Sequence, residues 1–168
     1  MNEKDRTLIV ELCIERKALG AHYIKPESIK ISEWVRYKCQ YGCSDYGKCH
    51  SCPPNSPTPE TTRKIVSDYT IGLLVHFDGD TSVTKAMVEI EREVFIRNYY
   101  KAISFGAGPC RVCKECASQK CNFPQKTRPS MEACGIDVFE TARRNGFEID
   151  VLKSKDEGEN CYGLILIE

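Results

Sequence analysis

The chain has 168 residues, 41% of them hydrophobic, and its 24 acidic side chains balance 24 Lys and Arg. A chain of this length and composition can bury one sizeable core, which excludes a miniprotein that depends on cross-linked cysteines. Zero formal net charge argues against nucleic acid as the main partner, because phosphate binding relies on an excess of Lys and Arg.

Five segments are predicted in the first half of the chain. An amphipathic helix is predicted over residues 5–19 and a short strand over residues 29–31. Residues 39–57 are rich in Gly, Pro and Ser, which is typical of a loop. The Thr-Pro pair that opens residues 58–68 suits the start of a helix. The apolar run at residues 70–77 predicts a buried strand.

Five further segments are predicted in the second half. They are a charged helix over residues 83–100, a strand over 102–105, a helix over 130–146 that opens at an N-capping serine, and strands over 147–153 and 161–167. A polar turn joins the last two strands into a predicted hairpin. Four side chains of the charged helix are predicted to face inward: Met87, Ile90, Val94 and Ile96.

The predicted fold is a single α+β domain over residues 1–168, with helices packed on a mixed or antiparallel sheet and two cysteine-rich metal loops. The first residues mix charges into their apolar positions, so no signal peptide is predicted, and no apolar run is long enough to span a bilayer. We therefore expect a cytoplasmic protein without a membrane partner. In a reducing compartment, eleven cysteines indicate metal ligands or catalytic groups rather than disulfides.

Eight of the eleven cysteines form two tight groups. The first quartet is Cys39, Cys43, Cys49 and Cys52, and the second is Cys110, Cys113, Cys116 and Cys121. Three cysteines of the second group follow one another at two-residue gaps, as in the bacterial ferredoxin run. One tight loop of this kind can present thiolates to different irons of a cubane cluster, and the glycines at 106 and 108 permit close backbone approach.

The second quartet departs from the ferredoxin pattern at its last cysteine. Four residues precede Cys121, and Pro124 follows it only three positions later. In two-cluster ferredoxins the last cysteine serves the other cluster, so Cys121 either completes this cluster or belongs to another site. Zinc is the alternative metal, although structural zinc usually takes two knuckles separated by a longer stretch.

The first quartet has irregular gaps and ends in a CxxC followed by two prolines. Gly42 and Gly47 make a cluster cradle plausible, with zinc again as the alternative. His50 lies inside the CxxC and is interpreted as an exposed loop residue rather than a ligand, because thiolates hold clusters far more often than imidazoles do. Three tyrosines near this quartet either shield a cluster from water or simply pack the loop: Tyr37, Tyr41 and Tyr46.

The remaining cysteines are interpreted mainly as core residues: Cys13, Cys134 and Cys161. Cys134 also falls in the first turn of a predicted helix, where the helix dipole would favour a thiolate, so a fifth ligand or a reactive thiol is the alternative. Arg128 and Glu132 flank that helix start and are interpreted as solvated charges, or as partners of each other, of a cluster or of a ligand. His22 and His76 have no matching catalytic constellation in the sequence.

Several motifs occur in one order along the chain: KCQYGC, YGKC, CPP followed by SPTPE, GAGPC with its cysteine run, and RPSMEACGIDV. Together they resemble a family of predicted metal-binding proteins, domain of unknown function 2284, seen mainly in anaerobic archaea and bacteria. The resemblance covers about residues 5–168. It implies that the family's cysteine positions correspond to the two quartets, accompanied by the stretch 128–133. It implies metal binding and supplies no reaction, substrate or partner.

Three functions of different classes are compatible with these residues. The first hypothesis is a protein with two [4Fe-4S] clusters that exchanges electrons with a redox partner protein. The second is an enzyme in which a cluster with three cysteine ligands leaves one iron open to a small, possibly sulfur-containing, substrate. The third is a structural zinc protein that serves as an assembly module.

Overall fold

The computed structural model describes residues 1–117, 119–154 and 157–168. Its α-helices are α1 Glu3–Glu15, α2 Glu33–Gly42, α3 Pro59–Ser67, α4 Val83–Ile96 and α5 Val138–Arg144. Its strands are β1 Gly20–Ile24, β2 Gly72–Asp78, β3 Ile103–Phe105 and β4 Asn160–Leu166. Short 3₁₀ helices cover Pro26–Ser28, Pro124–Lys126 and Glu132–Cys134.

The four strands form one sheet in the order β1-β2-β4-β3, and every neighbouring pair is antiparallel. Leu74 of β2 lies opposite Leu164 of β4, and Ile103 of β3 lies opposite Leu166. The predicted α+β class is confirmed, and of the two predicted sheet types the antiparallel one is observed. The continuous apolar run of β2 follows from burial of both faces of the central strands.

Each face of the sheet carries its own hydrophobic core, because successive side chains of a strand point to opposite faces. On one face Leu73, Val75 and Phe77 pack with α1 and α4. On the other face Leu74 and Leu164 pack with the segment that contains the last 3₁₀ helix and α5. The inward positions predicted for Met87, Ile90 and Val94 are confirmed. The prediction for Ile96 is wrong, because α4 ends there and 62% of the side chain is exposed.

Two predictions near the N-terminus differ from the structure. Helix α1 ends at Glu15 rather than at residue 19, because Lys17 adopts a positive φ of 70° that turns the chain into β1. Residues 29–31 form no regular strand. Ile31 makes only an isolated antiparallel bridge to Ile136, because the preceding Pro26–Ser28 turn directs the chain away from the sheet.

The prediction of a loop from residue 39 onward is wrong at its start. Helix α2 continues through Gly42, so Cys39 lies in its last turn. Cys43 ends the helix, and its N–H donates to the carbonyl of Cys39 at 3.3 Å. Val35 is buried in this helix, whereas Trp34, Tyr37 and Tyr41 are exposed.

The helix predicted over residues 130–146 is divided into two parts. The 3₁₀ helix Glu132–Cys134 ends at Gly135, which has a left-handed φ of 79°. A Cβ at Gly135 would lie 2.9 Å from Cβ of Pro59, so both space and backbone conformation require glycine. Helix α5 then starts again at Asp137, whose carboxylate accepts a hydrogen bond from the N–H of Glu140 at 3.1 Å.

The predicted C-terminal hairpin is absent from the described residues. Residues 147–153 form no strand, because Arg143 donates two hydrogen bonds, of 3.1 and 2.8 Å, to the carbonyl of Ile149. Strand β4 pairs with β2 and β3 instead. The predicted turn contains residues 155 and 156, which lie outside the described residues. None of the helices in the described part of the chain is long and apolar enough to cross a membrane.

Candidate metal centre

The two ends of the second cysteine segment, residues 107–129, lie next to each other. The N–H of Gly106 donates to the carbonyl of Pro129 at 2.9 Å, and the N–H of Met131 donates to the carbonyl of Gly106 at 3.1 Å. Gly106 lies so close to α4 that a Cβ there would be 3.0 Å from Cα of Thr84 and would overlap its hydroxyl. The closed neck leaves the cysteines between its two ends on one projecting loop.

A half-buried ion pair fixes the end of this segment to α4. Nε of Arg128 donates to Oε2 of Glu91 at 2.8 Å, and a second guanidinium nitrogen contacts the other carboxylate oxygen. The N–H and hydroxyl of Ser104 donate to the same Oε2 at 2.7 and 2.6 Å. Arg128 is therefore neither a solvated charge nor the partner of Glu132. Bidentate geometry of this kind holds the loop more rigidly than a single contact would.

The second segment encloses a cavity of about 260 Å³. Its wall contains five cysteines and one histidine: Cys49, His50, Cys110, Cys113, Cys116 and Cys121. All four members of the second quartet therefore reach one cavity, and a member of the first quartet joins them. Three exposed basic side chains line this cavity: Lys48, Arg111 and Lys114.

The first cysteine segment, residues 43–57, is an irregular loop held by its own backbone. The carbonyl of Cys49 accepts hydrogen bonds from the N–H of Cys52 at 3.1 Å and from the side-chain amide of Asn55 at 3.3 Å. The hydroxyl of Ser56 donates to the carbonyl of Ala133 at 2.7 Å, and Arg36 donates to the carbonyl of Pro57 at 2.8 Å. Cys49, Ser51, Cys52 and Ser56 of this loop are buried.

Three contacts join the two cysteine segments. Sγ of Cys49 lies 3.9 Å from the carbonyl oxygen of Cys110. Arg111 forms a salt bridge of 3.0 Å with Asp45. Nε2 of His50 donates to the carbonyl of Ala117 at 2.7 Å. The interpretation of His50 as an exposed loop residue is therefore wrong: the ring is half-buried, and one of its nitrogens is already used in holding the loops together.

Cys39 and Cys43 lie away from this cavity, at the end of α2. Both line a larger groove of about 830 Å³, together with Glu132 and Cys161. Sγ of Cys39 lies 4.0 Å from the carbonyl oxygen of Glu132. The first quartet is thus spread along the surface between two cavities, with Cys39 and Cys43 at one and Cys49 at the other.

Burial raises the pKa of several of these thiols above its usual range. The effect is largest for Cys52, whose pKa is raised to about 12 by burial and by the nearby Cys49 and Cys43. Burial also raises the pKa of Cys39, Cys49 and Cys113. These groups are protonated at neutral pH when no metal is bound, and a metal ion must displace their protons in order to bind.

The groove beside Cys39 is predominantly apolar. Its walls contain exposed aromatic and aliphatic side chains: Trp34, Tyr37, Tyr41, Phe139, Val151 and Leu152. The rings of Tyr37 and Tyr41 lie 4.7 Å apart, tilted by 45°, and line the groove, while Tyr46 is half-buried in the cysteine loop. Burial raises the pKa of the Glu132 carboxyl.

The family to which this chain belongs follows from a comparison with models of known protein families. A family model described as a predicted metal-binding protein, DUF2284, matches residues 22–167. The chain belongs to this family. No curated protein and no solved structure matches it. The DUF2284 match includes all eight cysteines of the two quartets, so the resemblance inferred from the cysteine motifs is confirmed, and metal binding is supported for the family as a whole.

The candidate ligands of this DUF2284 chain are almost all cysteine thiols, which as thiolates bind both iron–sulfur clusters and zinc. Among residues 1–117, 119–154 and 157–168, no three His, Cys, Asp or Glu side chains converge closely enough to hold one metal ion. A zinc ion requires every thiolate at roughly 2.3 Å from one point. A cubane cluster instead distributes its thiolates over several irons, so they surround a space rather than meet at a point. Thiols around a cavity fit the second arrangement better.

The remaining cysteines and the other two histidines of the DUF2284 chain lie outside the wall of the cavity of about 260 Å³. Cys13 and Cys134 are fully buried, and burial raises the pKa of each to about 12. The hypothesis of a dipole-activated Cys134 is wrong, because no α-helix starts there. Cys161 is only half-buried. His22 stacks on Phe147 at 4.1 Å, and His76 hydrogen-bonds to Asn160 at 2.7 Å.

Two features of the site were missed in the sequence. Glu91, the anchor of Arg128, lies within the charged face of α4, and nothing in the local pattern separates it from Glu89 or Glu93. The approach of Cys49 to the second segment depends on how two loops meet in space. The odd residue spacing of the first quartet was the one signal that its four thiols do not form a simple unit.

Proposed function

We propose that this protein binds two [4Fe-4S] clusters through its two cysteine segments and passes electrons to and from partner proteins in the cytoplasm. The observation that carries the proposal is the cavity of about 260 Å³ whose wall contains five thiols that do not converge on one point. The ligands proposed for the clusters are the first quartet, Cys39, Cys43, Cys49 and Cys52, and the second quartet, Cys110, Cys113, Cys116 and Cys121.

A cluster of this type supplies reversible one-electron reduction when it is bound. The chain itself contributes the thiols, the closed neck at Gly106 and the Glu91–Arg128 anchor, which keep the second loop in place. Cys116 is exposed, so the cavity reaches the protein surface. A partner that docks over this loop would therefore come close to the thiols.

The surface around the second loop indicates the charge of such a partner. Lys48, Arg111 and Lys114 line the cavity, and Lys120 and Lys126 are exposed elsewhere on the second loop. The acidic side chains of the wall are Asp45, which pairs with Arg111, and Glu115. A basic surface steers partners with an acidic docking face and makes the rate of their association fall as salt rises. We therefore expect an acidic redox partner.

The first experiment is metal and sulfide analysis, with a visible spectrum, on anaerobically purified protein. The proposal predicts a brown protein with about eight irons and about eight sulfides per chain. About four of each would restrict the cluster to one segment. A colourless protein that holds zinc would refute the iron–sulfur proposal and favour the structural zinc alternative.

A second experiment assigns the clusters to the cysteines. Cys113→Ser is expected to remove one cluster and leave the other, because its thiol lines only the cavity of the second segment. Cys13→Ser is a control that alters a buried thiol away from both segments. If Cys113→Ser retained all its metal, the ligand assignment would be wrong.

An enzyme that uses an open iron is the second candidate, and the apolar groove favours it. A volume of about 830 Å³ lies within the range of small-molecule sites, and the groove ends at Cys39 and Cys43. This function predicts that a small thiol or other sulfur compound changes the EPR signal of the reduced protein. Complete cysteinyl ligation of both clusters would exclude it, whereas reversible reduction without turnover would favour the electron carrier.

A further inference from the structure

Cys49 belongs in space to the second cysteine segment, although the sequence places it in the first quartet. Its side chain is buried, with 8% of the residue exposed, and it lines the same cavity as Cys110, Cys113, Cys116 and Cys121. Its Sγ lies 3.9 Å from the carbonyl oxygen of Cys110. The other cysteines of the first quartet are absent from the wall of that cavity in the described residues.

The neighbours of Cys49 hold it in that position. His50 directly follows Cys49, and Ala117 directly follows Cys116, so the 2.7 Å hydrogen bond between His50 and the carbonyl of Ala117 aligns the two cysteines. The salt bridge between Asp45 and Arg111 joins the same two loops at another point. The carbonyl of Cys49 accepts two hydrogen bonds from its own loop, which fixes the backbone there.

Cys39 and Cys43 occupy a different environment. They end α2 and face the apolar groove, where Cys39 contacts the backbone of Glu132. Cys52 is as buried as Cys49, with 8% of the residue exposed, and its thiol hydrogen-bonds to that of Cys49, but it does not line the cavity of the second segment. A centre built from the first quartet alone would have to extend from the groove beside Cys39 and Cys43 to the cavity that Cys49 lines.

We propose that Cys49 is a ligand of the metal centre formed by the second cysteine segment, and not of a centre with Cys39 and Cys43; this rests on the proposed metal-binding function and deepens it. Five thiols are then available to a centre that takes four, and Cys121, which departs from the ferredoxin spacing, is the one in excess. The first quartet retains three thiols, Cys39, Cys43 and Cys52. That is the number an open-iron centre beside the groove would have.

A double-mutant cycle on the full chain tests the assignment. The variants are Cys49→Ser, Cys113→Ser and both together, purified anaerobically and analysed for metal and for the EPR spectrum after reduction. If Cys49 and Cys113 serve one centre, the double variant keeps about half of the wild-type metal, as Cys113→Ser does, and both single substitutions alter the same EPR signal. If they serve different centres, the double variant loses nearly all the metal and the two substitutions alter different signals, which would overturn the proposal.

Cys52→Ser is the matched control, because Cys52 belongs to the same CxxC and has the same burial as Cys49. Combined with Cys113→Ser, it is expected to remove metal from both centres. If Cys52→Ser and Cys49→Ser alter the same EPR signal, the assignment of Cys49 is wrong. Far-UV circular dichroism of each variant separates loss of a ligand from loss of the fold.

A cross-linking experiment on the metal-free protein tests the assignment of Cys49 independently. In a Cys52→Ser background, mild oxidation with diamide converts two neighbouring thiols into a disulfide, and peptide mass spectrometry identifies them. The proposal predicts that Cys49 pairs with a cysteine of the second segment, and pairing with Cys39 or Cys43 would contradict it. The metal analysis of these variants detects zinc as well as iron. A wild-type protein that holds zinc would refute the iron–sulfur proposal, and zinc counts in the same variants would still test the assignment of Cys49.

Discussion

Among single residues, the eleven cysteines differ mainly in their surroundings. Cys13 is fully buried between α1 and the sheet, whereas Cys43 and Cys116 are exposed. Burial in apolar surroundings disfavours the thiolate, so the buried thiols stay protonated and inert unless a metal replaces the proton. Burial alone does not separate core cysteines from candidate ligands, because Cys49 and Cys52 are buried as well; the candidate ligands differ in lining cavities or facing neighbouring thiols.

The raised pKa of Cys13 predicts a loss of stability in alkaline solution. Its pKa rises from 9.0 to about 12 on folding, so between these values the unfolded chain releases a proton that the folded chain keeps. Unfolding is then favoured as pH rises, and full stability is present only below pH 9. We expect Cys13 to account for a loss of about 1 kcal/mol in the free energy of unfolding at pH 10.

Urea unfolding of metal-free wild type and Cys13→Ala at pH 8 and pH 10 checks this expectation. The alanine variant begins less stable, because the substitution removes buried atoms. It should lose about 1 kcal/mol less than the wild type between the two pH values. Equal losses in both proteins would show that Cys13 titrates alike in the folded and unfolded states.

Among the elements, the second cysteine loop depends on close packing at its neck. Gly106→Ala would place a Cβ 3.0 Å from Cα of Thr84, a backbone atom of α4 that cannot move without the helix. Overpacking of this kind costs about 1–3 kcal/mol of the free energy of unfolding. Chemical denaturation of the metal-free wild type and Gly106→Ala measures this loss of stability.

Gly42→Ala is the control for this prediction. No atom lies within 4 Å of its added Cβ, and the residue ends α2 with an ordinary backbone conformation. Alanine there is expected to be neutral or slightly stabilising. If the two substitutions had equal effects, the tight contact between Gly106 and α4 would have no energetic consequence.

The Glu91–Arg128 pair is the second device that holds this loop. Glu91→Gln keeps the shape of the side chain but leaves the guanidinium of Arg128 without its charged partner in a half-buried site. We expect a loss of about 2 kcal/mol or more in the free energy of unfolding, together with less metal in the second segment. Glu93→Gln breaks the more exposed pair with Arg97 and should cost less than about 1 kcal/mol. Metal analysis and urea denaturation of both variants distinguish the two effects.

The helices and strands that depend on residues close together in the sequence were predicted correctly. The N-cap at Thr58, the apolar run of β2 and the inward stripe of α4 follow from side-chain chemistry within a few residues, and the structure confirms them. The predicted helix after Ser130 was wrong because Gly135 packs against Pro59, which is distant in sequence. The predicted hairpin failed because Arg143 and the central strands take the hydrogen bonds that the hairpin needed.

For the whole molecule, the core and the cysteine loops are separate parts. The two hydrophobic clusters on the faces of the sheet contain neither Cys49 nor Cys52. We therefore expect the sheet to fold without the proposed metal ligands. Binding of a metal to the folded state alone would still add stability by mass action.

Metal removal is expected to loosen the loops and to leave the sheet folded. A chelator should lower the melting temperature, and hydrogen exchange should become faster in residues 43–57 and 107–117 but stay slow in β2 and β4. Hydrogen exchange followed by mass spectrometry, with and without metal, measures both regions. Global unfolding on chelation would show instead that the core depends on the metal.

The sequence by itself determined the family, the α+β class and the local starts of several elements, and it identified the cysteines that are candidate metal ligands, because these depend on residue type and short-range spacing. Only the tertiary structure decided which cysteines share a cavity. It brought Cys49 to the second loop, left Cys39 and Cys43 at the apolar groove, and attached Arg128 to Glu91. These arrangements depend on how distant loops pack together, and the spacing of residues along the chain does not specify which loops meet.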